Sequence, residues 1–218
     1  MDNVLVIRSR KRTSVGIQVL QDTTIKITIP YFFPKSHVAK ILEEKKEWIQ
    51  NAQQKMLTRE KKKVPKGVYL YLGKQYPLTL RPGQKELIEV LDNKLYIASF
   101  NEKFLKTYLV SWYKQQARKI IVERVNHYAQ IAGVKFKSIA LTSAQTRWGS
   151  CSSNKTLNFN WKLVMAPLEV IDYVVTHELA HLTELNHSRA FWETVRKMYP
   201  LYREYRTWLK RNGHTLTV

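Results

Sequence analysis

Two histidines four residues apart, with a glutamate directly after the first, stand in Val175-Thr176-His177-Glu178-Leu179-Ala180-His181, and His187 follows shortly after. On an α-helix, four residues turn the chain by roughly 400°, which brings His177 and His181 to one face about 6 Å apart along the axis. That spacing suits two ligands of one metal ion, the pattern of helical zinc sites in hydrolases. Glu178 projects from the adjoining strip. It cannot easily join both histidines as a ligand but can reach a water at the metal, so it reads as the general base.

A catalytic zinc site has three protein ligands and one open position. His187 is the expected third ligand, with Glu184 as the alternative. Had the helix continued past His181, six more residues would carry the chain about 9 Å along the axis and turn it by roughly 240°, off the metal-facing side. The helix must therefore end first. Asn186 is the expected left-handed stop, and Ser188 the cap of a further helix with Phe191, Trp192, Val195 and Met198 on its apolar face. Metzincins space their first and third histidines in the same way but place a glycine at the bend, where this sequence has Glu184. The cofactor expected is Zn2+, or another divalent transition metal.

Hydrolysis also needs a donor for the charge that develops in the transition state. Arg147 is the leading candidate, because Arg147-Trp148-Gly149-Ser150-Cys151 combines a cation, an aromatic face and backbone N–H groups in one turn. The alternative is a structural loop, with Trp148 packed and Arg147 paired to an acid. Cys151 has no partner cysteines and no defined base beside it, so it reads as a buried or tolerated thiol. His37, His127 and His214 lie outside any ligand spacing.

The histidines must be positioned by the elements around them. After Pro167 an apolar helical face runs through Leu168, Ile171, Tyr173, Val174 and Val175 directly into the histidine segment. A longer helical pattern extends from a capping box at Ser99 and Glu102, through Leu105, Leu109, Trp112, Ile121 and Val125, to Gly133. Between these helices, Lys135 to Thr142 and Thr156 to Trp161 are strand-like, and Gln145 to Ser152 reads as a turn or loop. The first hundred residues are mostly strands: Val4 to Arg8, Val15 to Leu20, Ile25 to Ile29, Val68 to Leu72, Gln75 to Leu80, Glu86 to Leu91 and Lys94 to Ala98. Turns at Gly73, Pro82-Gly83 and Asp92-Asn93 suggest antiparallel hairpins. One amphipathic helix interrupts them, from Ser36 to about Met56. Trp48 is its expected core anchor, and a charged connection from Arg59 to Lys63 follows it.

At 218 residues and 44% hydrophobic the chain can bury one substantial core or two small ones. Lys and Arg number 37 against 17 Asp and Glu, a formal charge of +20. Such a balance favours polyanionic partners, nucleotides and nucleic acid included, although a generally basic solvated surface accounts for it as well. The single cysteine excludes an intramolecular disulfide and fits a reducing compartment. No stretch approaches the length of an apolar membrane span, and the N-terminus lacks the order of a signal peptide. The expectation is a cytoplasmic protein without a membrane partner.

The stretch TRWGSCSSNKTLNFNWKLVMAPLEVIDYVVTHELAHLTELNHSRAFW resembles the YgjP-like family of zinc metallopeptidases, related to the SprT and WLM groups. YLGKQYPL and PLYREYRTWLK extend the likeness to most of the chain. The resemblance implies an α+β protein: a β-rich N-terminal region over 1–100 with one amphipathic helix, then a minimal zincin-like catalytic domain over 101–218. It also implies metal ligands at His177, His181 and His187, with Glu178 as acid/base. Fold and motif do not by themselves fix the substrate. Peptidase action on a peptide or protein is the leading reading. The alternatives are a metal-dependent phosphohydrolase of nucleoside triphosphates, suggested by the charge and Arg147, and a nucleic-acid-associated peptidase.

Overall fold

A computed structural model describes residues 3–20, 22–61, 64–81, 87–98 and 102–218. The Pro82-Gly83 turn, the Ser99 capping box and the side chains of the charged run at Arg59 to Lys63 lie outside the described residues. The architecture is mixed α+β, with three small sheets, and contacts divide it into two compact units, Met1–Lys63 and Val64–Val218. Among the described residues no helix is long and apolar enough to cross a membrane.

In the first unit, β1 (Val4–Ser9), β2 (Gly16–Val19) and β3 (Ile25–Pro30) form a sheet in the order β1-β3-β2. The alternating isoleucines of the central strand turn Ile27 and Ile29 fully inward, where Val38 meets them. The expected single helix is two, α1 (Ser36–Glu44) and α2 (Lys46–Lys61). Lys45 leaves helical geometry between them, with φ −103° and ψ 10°. That break resets the phase of the apolar face: Ile49 takes the buried position, and Trp48 is 50% exposed rather than a core anchor.

The second unit opens with β4 (Val68–Tyr71), β5 (Lys74–Arg81), β6 (Leu87–Leu91) and β7 (Lys94–Ala98). Leu72-Gly73 and Asp92-Asn93 are two-residue turns with positive φ at both positions, the geometry that suits the twist of a hairpin. The strand order is β4-β5-β7-β6, so β5 and β7 run parallel, in contrast to the antiparallel series expected. The physical reason is burial: β7 hides Leu95, Tyr96 and Ile97 and takes an inner place, whereas β6 alternates between exposed and half-buried residues and takes the edge. The β-rich stretch beyond residue 63 thus belongs, by contacts, to the same unit as the histidine helix.

The long helix α3 (Leu105–Ala132) buries Leu109, Tyr113, Ala117, Ile121 and Val125 as one stripe. Gly133, at φ 63°, closes it as expected, with the Val134 N–H donating back to the Ala129 carbonyl. Beyond it β8 (Ser138–Thr142), β9 (Gly149–Cys151) and β10 (Thr156–Asn160) form a sheet in the order β8-β10-β9. The expected loop at Gln145 to Ser152 is therefore in part an edge strand. Three helices complete the unit: α4 (Leu168–Ala180), α5 (Arg189–Met198) and α6 (Tyr202–Asn212).

Candidate metal centre

The helix that carries the first histidine is fixed at both ends and along its length. At its start, Pro167 lies so close to the hairpin turn that a Cβ on Gly73 would come within 2.7 to 3.1 Å of it. The N–H groups of Leu72 and Gly73 donate to the carbonyls of Val164 and Met165, tying that turn to the chain that enters α4. One turn in, the buried Asp172 accepts two hydrogen bonds from Arg124 of α3, at 2.6 and 2.8 Å. This bidentate pair holds the guanidinium charged and fastens α4 against α3. From Val170 to Ala180, only His177 is not buried.

His177 and His181 project from one face, with ring centroids 5.1 Å apart. The helix ends at Ala180, and His181 itself is the terminal cap in ordinary right-handed geometry. Asn186 is not among the positive-φ residues. The expected left-handed stop at Asn186 is thus replaced by an earlier turn, in which Thr183 and Glu184 donate their N–H groups to the Ala180 carbonyl. This turn brings His187 back, its ring 5.0 Å from that of His177 and 4.9 Å from that of His181. Ser188 then caps α5, its hydroxyl accepting from the Phe191 N–H at 3.3 Å. The cap draws the fully buried Phe191 against all three imidazoles, with centroids 4.6 to 4.9 Å away.

One ring nitrogen from each of His177, His181 and His187 lies within 4.8 Å of the other two, the one such cluster among the described residues. Nε2 of His177 and Nε2 of His187 are 3.1 Å apart. Two nitrogens about 2.05 Å from one tetrahedral zinc would stand roughly 3.3 Å apart, so the donor set fits such an ion. Nδ1 of His181 lies 3.0 Å from the Glu184 carbonyl. A carbonyl only accepts, so Nδ1 is the donor in this contact and Nε2 is the nitrogen left for a metal ion. Glu184, the alternative ligand, thus contributes its main chain to orienting His181. Burial, then the charges of His181, His187 and Arg206, push His177 down to about 3, which keeps its lone pair available at neutral pH.

Glu178 is 4% exposed, and its Oε2 has no hydrogen-bond partner among the described residues. Burial pushes its carboxyl up to about 8. Gly149 of β9 lies directly against it: an added Cβ would come within 2.5 to 2.8 Å of the carboxylate and its Cγ. Glycine is thus required there for contact with the acid, a role its reading as a turn residue missed. Trp148, Gly149, Tyr173, His177 and Glu178 line a recess of about 190 Å³. Tyr173, one turn before His177, has its phenol pushed up to about 12, chiefly by burial.

Arg147 is exposed and lines a neighbouring groove of about 500 Å³ with Lys162 and Lys210. It is not among the residues lining the Glu178 recess, and it forms no ion pair among the described residues. Trp148 packs at the edge of the core, with Gly213 close to its ring. Cys151 is half-buried, and burial raises its thiol, which keeps it protonated. Arg206 of α6 escaped the sequence reading. Its charge acts on both His177 and His187, and its guanidinium lies 4.6 Å from the Trp192 ring. The only signal for it was its place in the PLYREYRTWLK segment.

A mixed α+β unit in which three histidines converge at the end of a buried helix, beside a buried carboxylate, is the frame of a metallohydrolase. The family described as YgjP-like, metallopeptidase domain, matches residues 13–212, and the chain belongs to it. No curated protein matches it in sequence. Among solved structures it is similar in part to the metallopeptidase zymogen of Pyrococcus abyssi abylysin. That likeness is 21% in identity with a TM-score of 0.39, over 42% of this chain and 93% of the other. The metallopeptidase zymogen of Methanocaldococcus jannaschii jannalysin shows 19% identity and a TM-score of 0.36, over 43% and 96%.

Proposed function

We propose that the chain is a zinc-dependent peptidase of the cytoplasm in which His177, His181 and His187 hold the metal and Glu178 is the general base. The observation that carries this reading is the convergence of three histidine nitrogens within 4.8 Å beside a buried carboxylate whose Oε2 has no partner among the described residues. Zinc bound there supplies a Lewis acid that polarises a carbonyl and eases the ionisation of a water. Glu178 takes the proton of the attacking water and returns it to the departing amide nitrogen, which leaves as an amine. Its carboxyl is 4% exposed, so the proton it holds between the two transfers is shielded from bulk water.

The edge strand supports a peptide as substrate. Along β9 the Trp148 carbonyl accepts from Asn160 and the Ser152 N–H donates to Thr156, both towards β10. By alternation, Gly149 and Cys151 turn their N–H and C=O groups outward, where an extended peptide can pair with them. Two cations are available for transition-state charge: Arg147 from the loop before β9 and Arg206 from α6. Loss of kcat in Arg147→Ala with normal activity in Arg206→Ala would assign the role to Arg147, and the reverse to Arg206.

A second reading, a metal-dependent phosphohydrolase of nucleoside triphosphates, is favoured by one observation, a cleft lined by arginines beside the site. Purified protein, with and without a chelator, assayed against a peptide library and a nucleotide panel separates the two. Chelator-sensitive cleavage of peptides supports the peptidase. Nucleotide hydrolysis alone overturns it.

A further inference from the structure

The face of α5 opposite its buried side carries Arg189, Trp192, Glu193 and Arg196, at positions i, i+3, i+4 and i+7. The first turns of α6 add Tyr202, Arg203 and Arg206. Together these seven residues line an open cleft of about 460 Å³. Four are arginines and one is an acid, and that acid, Glu193, is already paired with Arg189 at 3.0 Å. Arg196, Arg203 and Arg206 have no acidic partner among the described residues.

The cleft is joined to the metal centre by a chain of stacked rings. His187 stacks on Trp192 at 5.7 Å, and Trp192 stacks on Tyr202 at 5.4 Å. Arg206 lies over the same indole at 4.6 Å, and the Arg203 Nε donates to the Tyr202 hydroxyl at 3.2 Å. The rings thus hold two guanidinium groups in place at the edge of the site, which lowers the entropy lost when they bind an anion. His187, Tyr202 and Arg206 already lie over the Trp192 ring, so the cleft offers fixed positive charge but no free indole face for a nucleobase. A carboxylate is the partner that matches it, received by arginine in two parallel hydrogen bonds.

We infer that this cleft is a specificity subsite that takes acidic side chains of the peptide substrate on the His187 side of the metal centre. The inference rests on the peptidase reading and adds to it a substrate class: peptides with Asp or Glu on one side of the scissile bond.

The test uses the zinc-loaded protein and quenched fluorescent peptides that differ only in carrying Glu, Ala or Lys at successive positions on either side of the bond. The Glu peptides are expected to show kcat/KM about tenfold above the Ala peptides, the scale of one charged hydrogen bond. The gain should be confined to one side of the bond and shrink as salt rises. The double variant Arg196→Ala/Arg203→Ala should lose the preference through KM, with melting temperature and metal content reporting that it folds. If it does not fold, the salt dependence of the parent decides. Equal rates for Glu and Ala peptides, or a preference that survives both substitutions, overturn the subsite and leave the peptidase reading standing.

If no peptide is cleaved, the peptidase reading fails, and binding decides the cleft. Fluorescein-labelled hexaglutamate should bind zinc-loaded Glu178→Gln, and more weakly once Arg196 and Arg203 are replaced. Absence of binding, or displacement by a nucleoside triphosphate at a lower concentration than by free hexaglutamate, overturns the inference.

Discussion

Helices α4 and α5 meet at the same three histidines on opposite plans. From Val170 to Ala180 α4 is buried almost all round, and it carries Asp172, Thr176 and Glu178 into the interior. By contrast, α5 buries Phe191, Val195 and Met198 on one face and turns Arg189, Glu193 and Arg196 outward. A buried helix keeps its polar groups where water cannot screen them, and each must then be paired or strained. An amphipathic helix leaves its charges free to exchange water for a ligand. On the proposed function chemistry falls to α4 and recognition to α5, and substitutions on the two helices should then fail in different ways.

The largest effect is expected at Glu178, the buried acid of α4 whose Oε2 has no hydrogen-bond partner among the described residues. Glu178→Gln should lower kcat by about 10²- to 10⁴-fold, the usual worth of a positioned acid–base group, while bound zinc is retained. Single-turnover rates and metal analysis of the same sample check both halves. A parent-like rate would remove Glu178 from the mechanism. Gly149→Ala tests the same acid from the opposite wall, because the new methyl must displace the carboxylate. A drop in kcat of about 10²-fold at unchanged metal content is expected, the cost of moving a catalytic group by about 1 Å.

The acid of α4 that does have a partner should report on stability instead. Asp172→Ala leaves Arg124 half-committed to the interior without its carboxylate, a loss of about 3–5 kcal/mol by denaturant unfolding. If the loss were under about 1 kcal/mol, the scale of a surface pair, α4 would not be held the way the geometry indicates.

Proton linkage sharpens the contrast further, because two groups on α4 act in opposite directions in the metal-free protein. Glu178 is raised to about 8 in the fold, so it favours folding below its ordinary value of 4.5 and loses that contribution as pH climbs to 8. His177 is lowered to about 3, so its contribution is present above 6.5 and is lost as pH falls from 6.5 towards 3. Chelator-treated protein should therefore lose stability between pH 6.5 and 8, with a slope of at most about 1.4 kcal/mol per pH unit. Glu178→Gln should flatten that limb and raise the melting temperature at pH 8. An unchanged slope in the variant would place the titration elsewhere.

What could be read in the sequence follows the same division. The spacing of His177, His181 and His187 is local, and the helix and cap that present them, Gly133 closing α3 and Ser188 opening α5, follow from residue types within a turn or two. Contacts made across the fold left weaker marks. Gly149 read as a turn residue because nothing in its neighbourhood points to Glu178, 29 positions on. Arg206 reaches the histidines only because α6 packs back against α4. Residue type predicts the helix stop at Asn186, the kind most tolerant of a left-handed turn, but the chain turns earlier through the Ala180 carbonyl, using backbone groups that every residue has. Trp48 lies off the core for a similar reason, since a one-residue break at Lys45 moves the apolar face and leaves no mark in composition.

The smallest predicted effect lies on α5, and it tests whether the start of that helix also sets the geometry of the three histidines. Ser188 accepts from the Phe191 N–H, and Phe191 in turn lies against all three imidazoles. Ser188→Ala should cost about 1 kcal/mol of stability, the usual worth of a helix cap. If the cap only starts the helix, zinc affinity will be unchanged and the loss will appear in the melting curve alone. If it also holds Phe191 against the histidines, zinc affinity should fall by up to about fivefold, because the same free energy then appears in binding. Ser188→Asp, which supplies another good capping oxygen, should restore stability and affinity together. Restored stability without restored affinity would instead show that the hydroxyl acts on the histidines by a route other than the cap.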